Sequence, residues 1–121
     1  MREDRERLLD ILEAIERIDR YTGSRTEAFE NNELIQNWIV SHIQIIGEAS
    51  NHLSCKLRME HPEVPWSSII GMRHILVHSY FEIDLDMVKQ ALERDLPILK
   101  SHIEGILRDM EDPSVSGEAT S

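Results

Sequence analysis

The sequence predicts an all-α chain: an up-down helical bundle of three long helices with short helices between them. Apolar residues recur at spacings of three and four along most of the chain, the period of a helix with one buried face. Five glycines and four prolines among 121 residues leave few places to break such helices. No stretch alternates apolar and polar residues as a strand would.

Arg2 to about Tyr21 reads as the first helix, with Leu8, Leu9, Ile11, Leu12, Ile15 and Ile18 on its apolar face and Arg and Glu opposite. Thr22-Gly23-Ser24 ends it. Thr26 to Phe29 reads as a single turn before Asn31 or Asn32 caps the next helix. That helix is predicted to be the longest, from Asn32 to about Glu60. Its stripe is Ile35, Trp38, Ile39, Ile45, Ile46, Ala49 and Leu53, with His42 on the stripe and Gly47 permitting a close helix crossing. His61-Pro62 stops it, because a residue before proline is pushed out of helical geometry. Pro65 then opens a short helix through Trp66 to Ile70, and Gly71 breaks it. Met72 to Tyr80 forms a second short helix. The last helix opens at Asp84, a good N-cap, and runs to about Met110. Its stripe of Leu85, Val88, Leu92, Leu96, Leu99, Ile103 and Ile106 is nearly heptad, and free apolar faces of this kind suit a dimer. Pro97 inside it predicts a kink. Residues 1–111 form one domain; residues 112–121, rich in Ser, Gly, Pro and Thr, read as a disordered tail.

The N-terminal run carries no apolar signal segment and no run approaches a membrane span, so a cytoplasmic protein is expected. Cys55 is the single cysteine, which excludes an internal disulfide and a multi-cysteine zinc site. With 13 Lys and Arg against 23 Asp and Glu, the net charge of -10 repels a phosphate backbone at long range. Any phosphate chemistry must be local.

One such place stands out. From Ser67 to Phe81 there is no carboxylate, and Arg73, His74, His78 and Tyr80 cluster there. A permanent cation, two imidazoles and a phenol in a carboxylate-free window make a seat for an anion. Five positions on a straight helix turn through about 140°, so Arg73 and His78 do not aim at one point. Either the backbone bends within the motif or the two meet across a two-fold axis, which would also bring two copies of His78 together. One imidazole as base and one as acid fits metal-free RNA cleavage, with the guanidinium neutralising charge on the phosphate oxygens. A helix with a surface arginine and a buried histidine is the plainer reading of the same spacing. His74 and His78 also stand at metal-ligand spacing, which leaves a metal site as a third reading; no Glu follows His74, so the zinc-protease pattern is absent, and the leading reading takes neither metal nor cofactor. Glu48, if buried, needs a partner, and Arg73 is the candidate; a solvated Glu at the stripe edge is the alternative. His42, His52, His61 and His102 read as packed or solvated side chains, and Trp38 and Trp66 as core.

Arg73, four intervening residues, His78, one residue and Tyr80 match the Arg-x4-His-x-Tyr signature, and the chain resembles HEPN-domain proteins of the HepT-like family. Further segments carry the resemblance: Asp10 to Ile18, Ile45-Ile46-Gly47-Glu48-Ala49, His61 to Trp66, Ile70 to Arg73 and Asp95-Leu96-Pro97. The resemblance spans roughly Arg2 to Leu107. It implies a HEPN fold, a homodimer or higher even oligomer with the motif in a composite cleft, and an RNA substrate. It also implies the toxin role in a type VII toxin–antitoxin pair: a metal-independent endoribonuclease whose partner is an MntA-type minimal nucleotidyltransferase antitoxin. Arg73 and His78 would be the catalytic pair, with His74 and Glu48 in support. Tyr80 would be the hydroxyl that receives AMP, adding negative charge and bulk beside the cleft. The sequence departs from the family pattern at His74, where members commonly carry Asn; an extra phosphate donor and a competing base are the two readings. The alternative to an enzyme is a non-catalytic helical module that binds a nucleotide or docks a nucleotidyltransferase.

Overall fold

The computed structural model describes residues 2–22, 32–75 and 85–111, and among these the chain is an all-α bundle without strands. The elements are α1 (Arg2–Thr22), α2 (Glu33–Asn51), α3 (Cys55–Glu60), α4 (Trp66–Ile75), α5 (Leu85–Gln90), a π-helical turn (Ala91–Asp95) and α6 (Leu96–Glu111). The predicted turn between the first two helices, Asp84 and the tail from Asp112 lie outside the described residues.

The core is built on the predicted period. Leu8, Ile11, Ile15 and Ile18 of α1 are sealed from solvent, and they face Ile39, Ile43 and Ile46 of α2. Leu9, placed on the same stripe from sequence, is instead at the exposed edge. The stripe expected for the second helix holds at Ile39, Ile46, Ala49 and Leu53, but Ile43 is fully buried where Ile45 was expected, and Ile45 is 45% exposed. The core face of α2 continues through His42, Gly47 and Ser50. Asn32 is the N-cap; its side chain accepts from the amides of Leu34 and Ile35 at 3.0 and 3.2 Å. α2 packs against α1 on one side and α4 on the other, and α1 also meets α6. No described helix is long and apolar enough to cross a membrane.

Three expectations are corrected. First, the long helix to Glu60 is two helices. Ser54 takes extended geometry, φ −63° and ψ 151°, and its hydroxyl accepts from the Leu57 amide to cap α3. Asp4, 50 residues earlier, fixes the break by accepting from the Ser54 amide at 2.9 Å and its hydroxyl at 2.6 Å. Since the start of α1 meets the end of α2, the two helices run antiparallel. Second, Gly71 does not break α4, which continues to Ile75; a Cβ built at Gly71 meets nothing within 4 Å. Third, the near-heptad stripe of the last helix is interrupted by a π-helical turn just before Pro97, the residue predicted to kink it. The Leu96 amide donates to the Ala91 carbonyl, five residues back, and the wider turn relieves the ring's clash with the carbonyl four residues before it. The extra residue moves the stripe: Ala91, 3% exposed, takes the core position and Leu92 is only partly buried.

Gly47 is the glycine that packing requires. A Cβ there would lie 3.1 Å from the Arg73 Cβ and 3.2 Å from the Ile69 carbonyl oxygen, so α4 can approach α2 only over a bare backbone. Gly71→Ala should therefore raise stability by about 0.5–1 kcal/mol. Gly47→Ala should lower it by about 1–3 kcal/mol, because a backbone oxygen must move. Urea denaturation of the two variants checks the opposite signs.

Asp4 gives a pH signature. Burial pushes its carboxyl up, but the two Ser54 hydrogen bonds outweigh burial and the net shift is below the ordinary 3.8. A lowered native value means that the carboxylate's contribution is present above the unfolded value and disappears as pH falls through the native one. Asp4→Asn should cost roughly 1–2 kcal/mol at pH 7. Its deficit relative to the unsubstituted chain should shrink in unfolding curves taken progressively below pH 3.8.

Candidate functional site

The carboxylate-free window begins on α4, whose last turn carries Arg73 and His74. Trp66 anchors the start of this helix: its ring is buried and its Nε1 donates to the His61 carbonyl at 3.0 Å. Ile69, four residues before Arg73, is buried in the core. Arg73 is thus set by its helix, and its Cβ rests on the bare backbone of Gly47.

The next residue of α2 completes the contact. Arg73 Nη1 donates to Glu48 Oε2 at 2.7 Å. The arginine side chain is 23% exposed and the glutamate 58%. Glu48 is therefore both a solvated residue at the stripe edge and the partner of Arg73, so the two sequence readings are combined. A pair this open to water contributes at most about 1 kcal/mol to stability. What it supplies is direction: the carboxylate holds the fork of the guanidinium at the mouth of the α2–α4 crossing.

A third group, unassigned by sequence reasoning, joins them. His52 is the C-cap of α2, and its Nδ1 donates to the Glu48 carbonyl at 2.8 Å. The same nitrogen lies 3.6 Å from Glu48 Oε1. The four-residue spacing of Glu48 and His52 was the available signal, since such pairs share a helix face. One carboxylate thus stands between an arginine and an imidazole, both reaching solvent.

Of the sequence-predicted site, Arg73 and Glu48 are brought together. The His74 backbone continues α4; His78 and Tyr80 lie outside the described residues. His42 is buried, with its Nδ1 donating to the Trp38 carbonyl at 2.7 Å and its ring tilted against the indole, as a packed histidine would be. His61 sits 3.3 Å from Glu63. The Glu63 carboxyl is held below its ordinary range, first by its own backbone amide and further by His61. Among the described residues no group of three or more His, Cys, Asp or Glu side chains could hold a metal ion. A groove of about 300 Å³ runs between α4 and α6, walled by Ile69, Met72, Ile98 and Leu99, with Ser68, Asp95 and His102 as its polar points.

The sequence profile of the family described as Ribonuclease HepT-like matches residues 11–106. A protein of Methanocaldococcus jannaschii provisionally named an RNase is 35% identical over 98 residues, covering 80% of this chain and 90% of the relative. A Thermococcus cleftensis protein named "Probable ribonuclease HepT" is 35% identical over 106 residues, 85% of this chain and 94% of the relative. A longer M. jannaschii protein, whose name joins gamma-glutamylcyclotransferase to a provisional RNase, is 35% identical over 102 residues. The match covers 84% of this chain and 46% of that relative. No solved structure matches the chain.

Proposed function

The chain belongs to the HepT-like ribonuclease family, and from that premise we propose that it is a metal-independent endoribonuclease, the toxin of a type VII toxin–antitoxin pair. The observation that carries this reading is Arg73 itself. It is the arginine of Arg-x4-His-x-Tyr, it lies in a window without carboxylates of its own, and a fixed ion pair presents it at a helix crossing.

The chemistry follows from the residue types. A base takes the proton of a ribose 2′-hydroxyl, and the freed oxygen attacks the neighbouring phosphorus. An acid protonates the departing 5′-oxygen as the phosphorus–oxygen bond breaks. His78 supplies the imidazole, and a two-fold dimer would supply a second copy, one as base and one as acid. Arg73 neutralises the charge that grows on the non-bridging oxygens. His74 stands next to Arg73 as a further donor to phosphate. Tyr80, two residues after His78, is the hydroxyl on which an MntA-type nucleotidyltransferase would place AMP; the added phosphodiester charge would repel RNA from the cleft.

A net charge of -10 favours a second reading, a non-catalytic module that binds a nucleotide or docks the nucleotidyltransferase. Cleavage decides between them. Incubated with RNA in EDTA, the unmodified protein should cut. Arg73→Ala and His78→Ala should each lose at least ~100-fold in rate, with helicity and oligomeric state unchanged by circular dichroism and light scattering. Undiminished cutting by either variant removes that residue from the catalytic role; no cutting by intact unmodified protein favours the module.

Coexpression with the nucleotidyltransferase tests the switch. Intact mass should rise by whole AMP units that map to Tyr80 and silence cleavage. Tyr80→Phe should stay unmodified and remain active beside the antitoxin; adenylylation elsewhere on that variant would show the acceptor is another hydroxyl.

A further inference from the structure

The carboxylate that holds Arg73 presents a problem for the proposed chemistry. An RNA phosphodiester must reach the same guanidinium, and Glu48 already occupies part of its fork at 2.7 Å. Carboxylate and phosphate are both acceptors suited to that fork, and two anions crowded on one cation repel each other. While the ion pair stands, Glu48 competes with the phosphate for the guanidinium.

The three groups differ in their freedom to move. Arg73 is the least exposed, with its Cβ packed against Gly47. His52 is pinned by the Nδ1 hydrogen bond to the Glu48 carbonyl. The Glu48 carboxylate is the most exposed, and its second oxygen already lies 3.6 Å from His52. A small rotation of one side chain would exchange the guanidinium for the imidazole as its partner.

We propose that Glu48 is a shared counter-ion: it holds Arg73 before RNA binds, and passes to His52 when a phosphodiester takes the guanidinium. The proposal rests on the RNA-binding half of the function given above; it gives the supporting residue Glu48 a positioning role and adds His52 as a second positioning residue. Glu48 sets the direction of the guanidinium and screens its charge. His52 lowers the cost of releasing it, because the displaced carboxylate finds a ring N–H 3.6 Å away rather than bulk water alone. The exchange involves no covalent step and no net change of charge within the trio. It also gives the site a filter: a ligand without an anion strong enough to displace a carboxylate leaves the resting pair in place.

The test is binding of a 2′-O-methyl RNA oligonucleotide, which cannot be cleaved, followed by fluorescence anisotropy at pH 6, where imidazoles are largely protonated. Glu48→Gln should tighten binding about two- to fivefold, because the competing charge is gone. His52→Gln should weaken it by a similar factor, and His52→Lys, which keeps a cation there, should restore it. The double variant Glu48→Gln, His52→Gln should bind like Glu48→Gln alone, since His52 acts through the carboxylate. Purely structural roles would weaken binding in both single variants and would not give this non-additivity. Additive effects would overturn the proposal by showing that His52 meets RNA directly; so would equal binding by all variants. Failure of the intact unsubstituted protein to bind RNA would overturn the proposal together with the function it rests on.

Discussion

Two helices approach here more closely than side chains ordinarily allow, and the candidate site depends on that approach. A methyl group at Gly47 would sit tightly, 3.1 Å from the Arg73 Cβ and 3.2 Å from the Ile69 carbonyl oxygen, and would push α4 outward by a few tenths of an ångström. This contact sets the height and rotation of α4 against α2. It places the arginine stem over α2 and leaves Glu48, one residue further along, to receive the guanidinium. The ion pair is too exposed to hold the helices together. Burial of Trp66 and Ile69 does that, and the pair then orients the end of a side chain whose beginning is already fixed.

The second polar contact of consequence is far from the first in sequence and acts on the same helix. Asp4 grips Ser54 through two hydrogen bonds, so α2 ends at Asn51 and a new helix is capped three residues on. That ending makes His52 a C-cap with its ring turned back on the Glu48 carbonyl. A buried aspartate in the first turn of the chain thereby helps to decide which imidazole stands beside the Arg73–Glu48 pair.

Much of this was legible in residue types and spacing. The Gly47 crossing, the Glu48–Arg73 partnership and the Asn32 cap each follow from local chemistry: a missing side chain, a charge needing an opposite, an amide acceptor before an apolar stripe. The break at His52 to Ser54 was not legible, because its cause lies 50 residues away in Asp4. Most of the α2 face was legible, His42 and Gly47 included; Ile43 and Ser50 were missed, and Ile45 was placed inside although it is 45% exposed. Gly71 was misread: a glycine facing open space costs a helix about 1 kcal/mol, which tertiary packing of α4 outweighs. The roles of His78 and Tyr80 rest on motif spacing and family resemblance.

The π-helical turn at Ala91–Asp95 gives the last helical stretch one residue of slack. Ala91 and Leu96 are five apart yet both face the core, where an α-helix would use four. Losing one residue between them would draw the slack in and leave Val88 and Leu99 in phase with their partners. The same loss elsewhere in α6 would rotate one half by about 100° against the other. Pro97 opposes that shortening, because in the tightened helix its ring would again meet the carbonyl four residues before it. The proline that looks like a fault in the helix is therefore what keeps its spare residue in place.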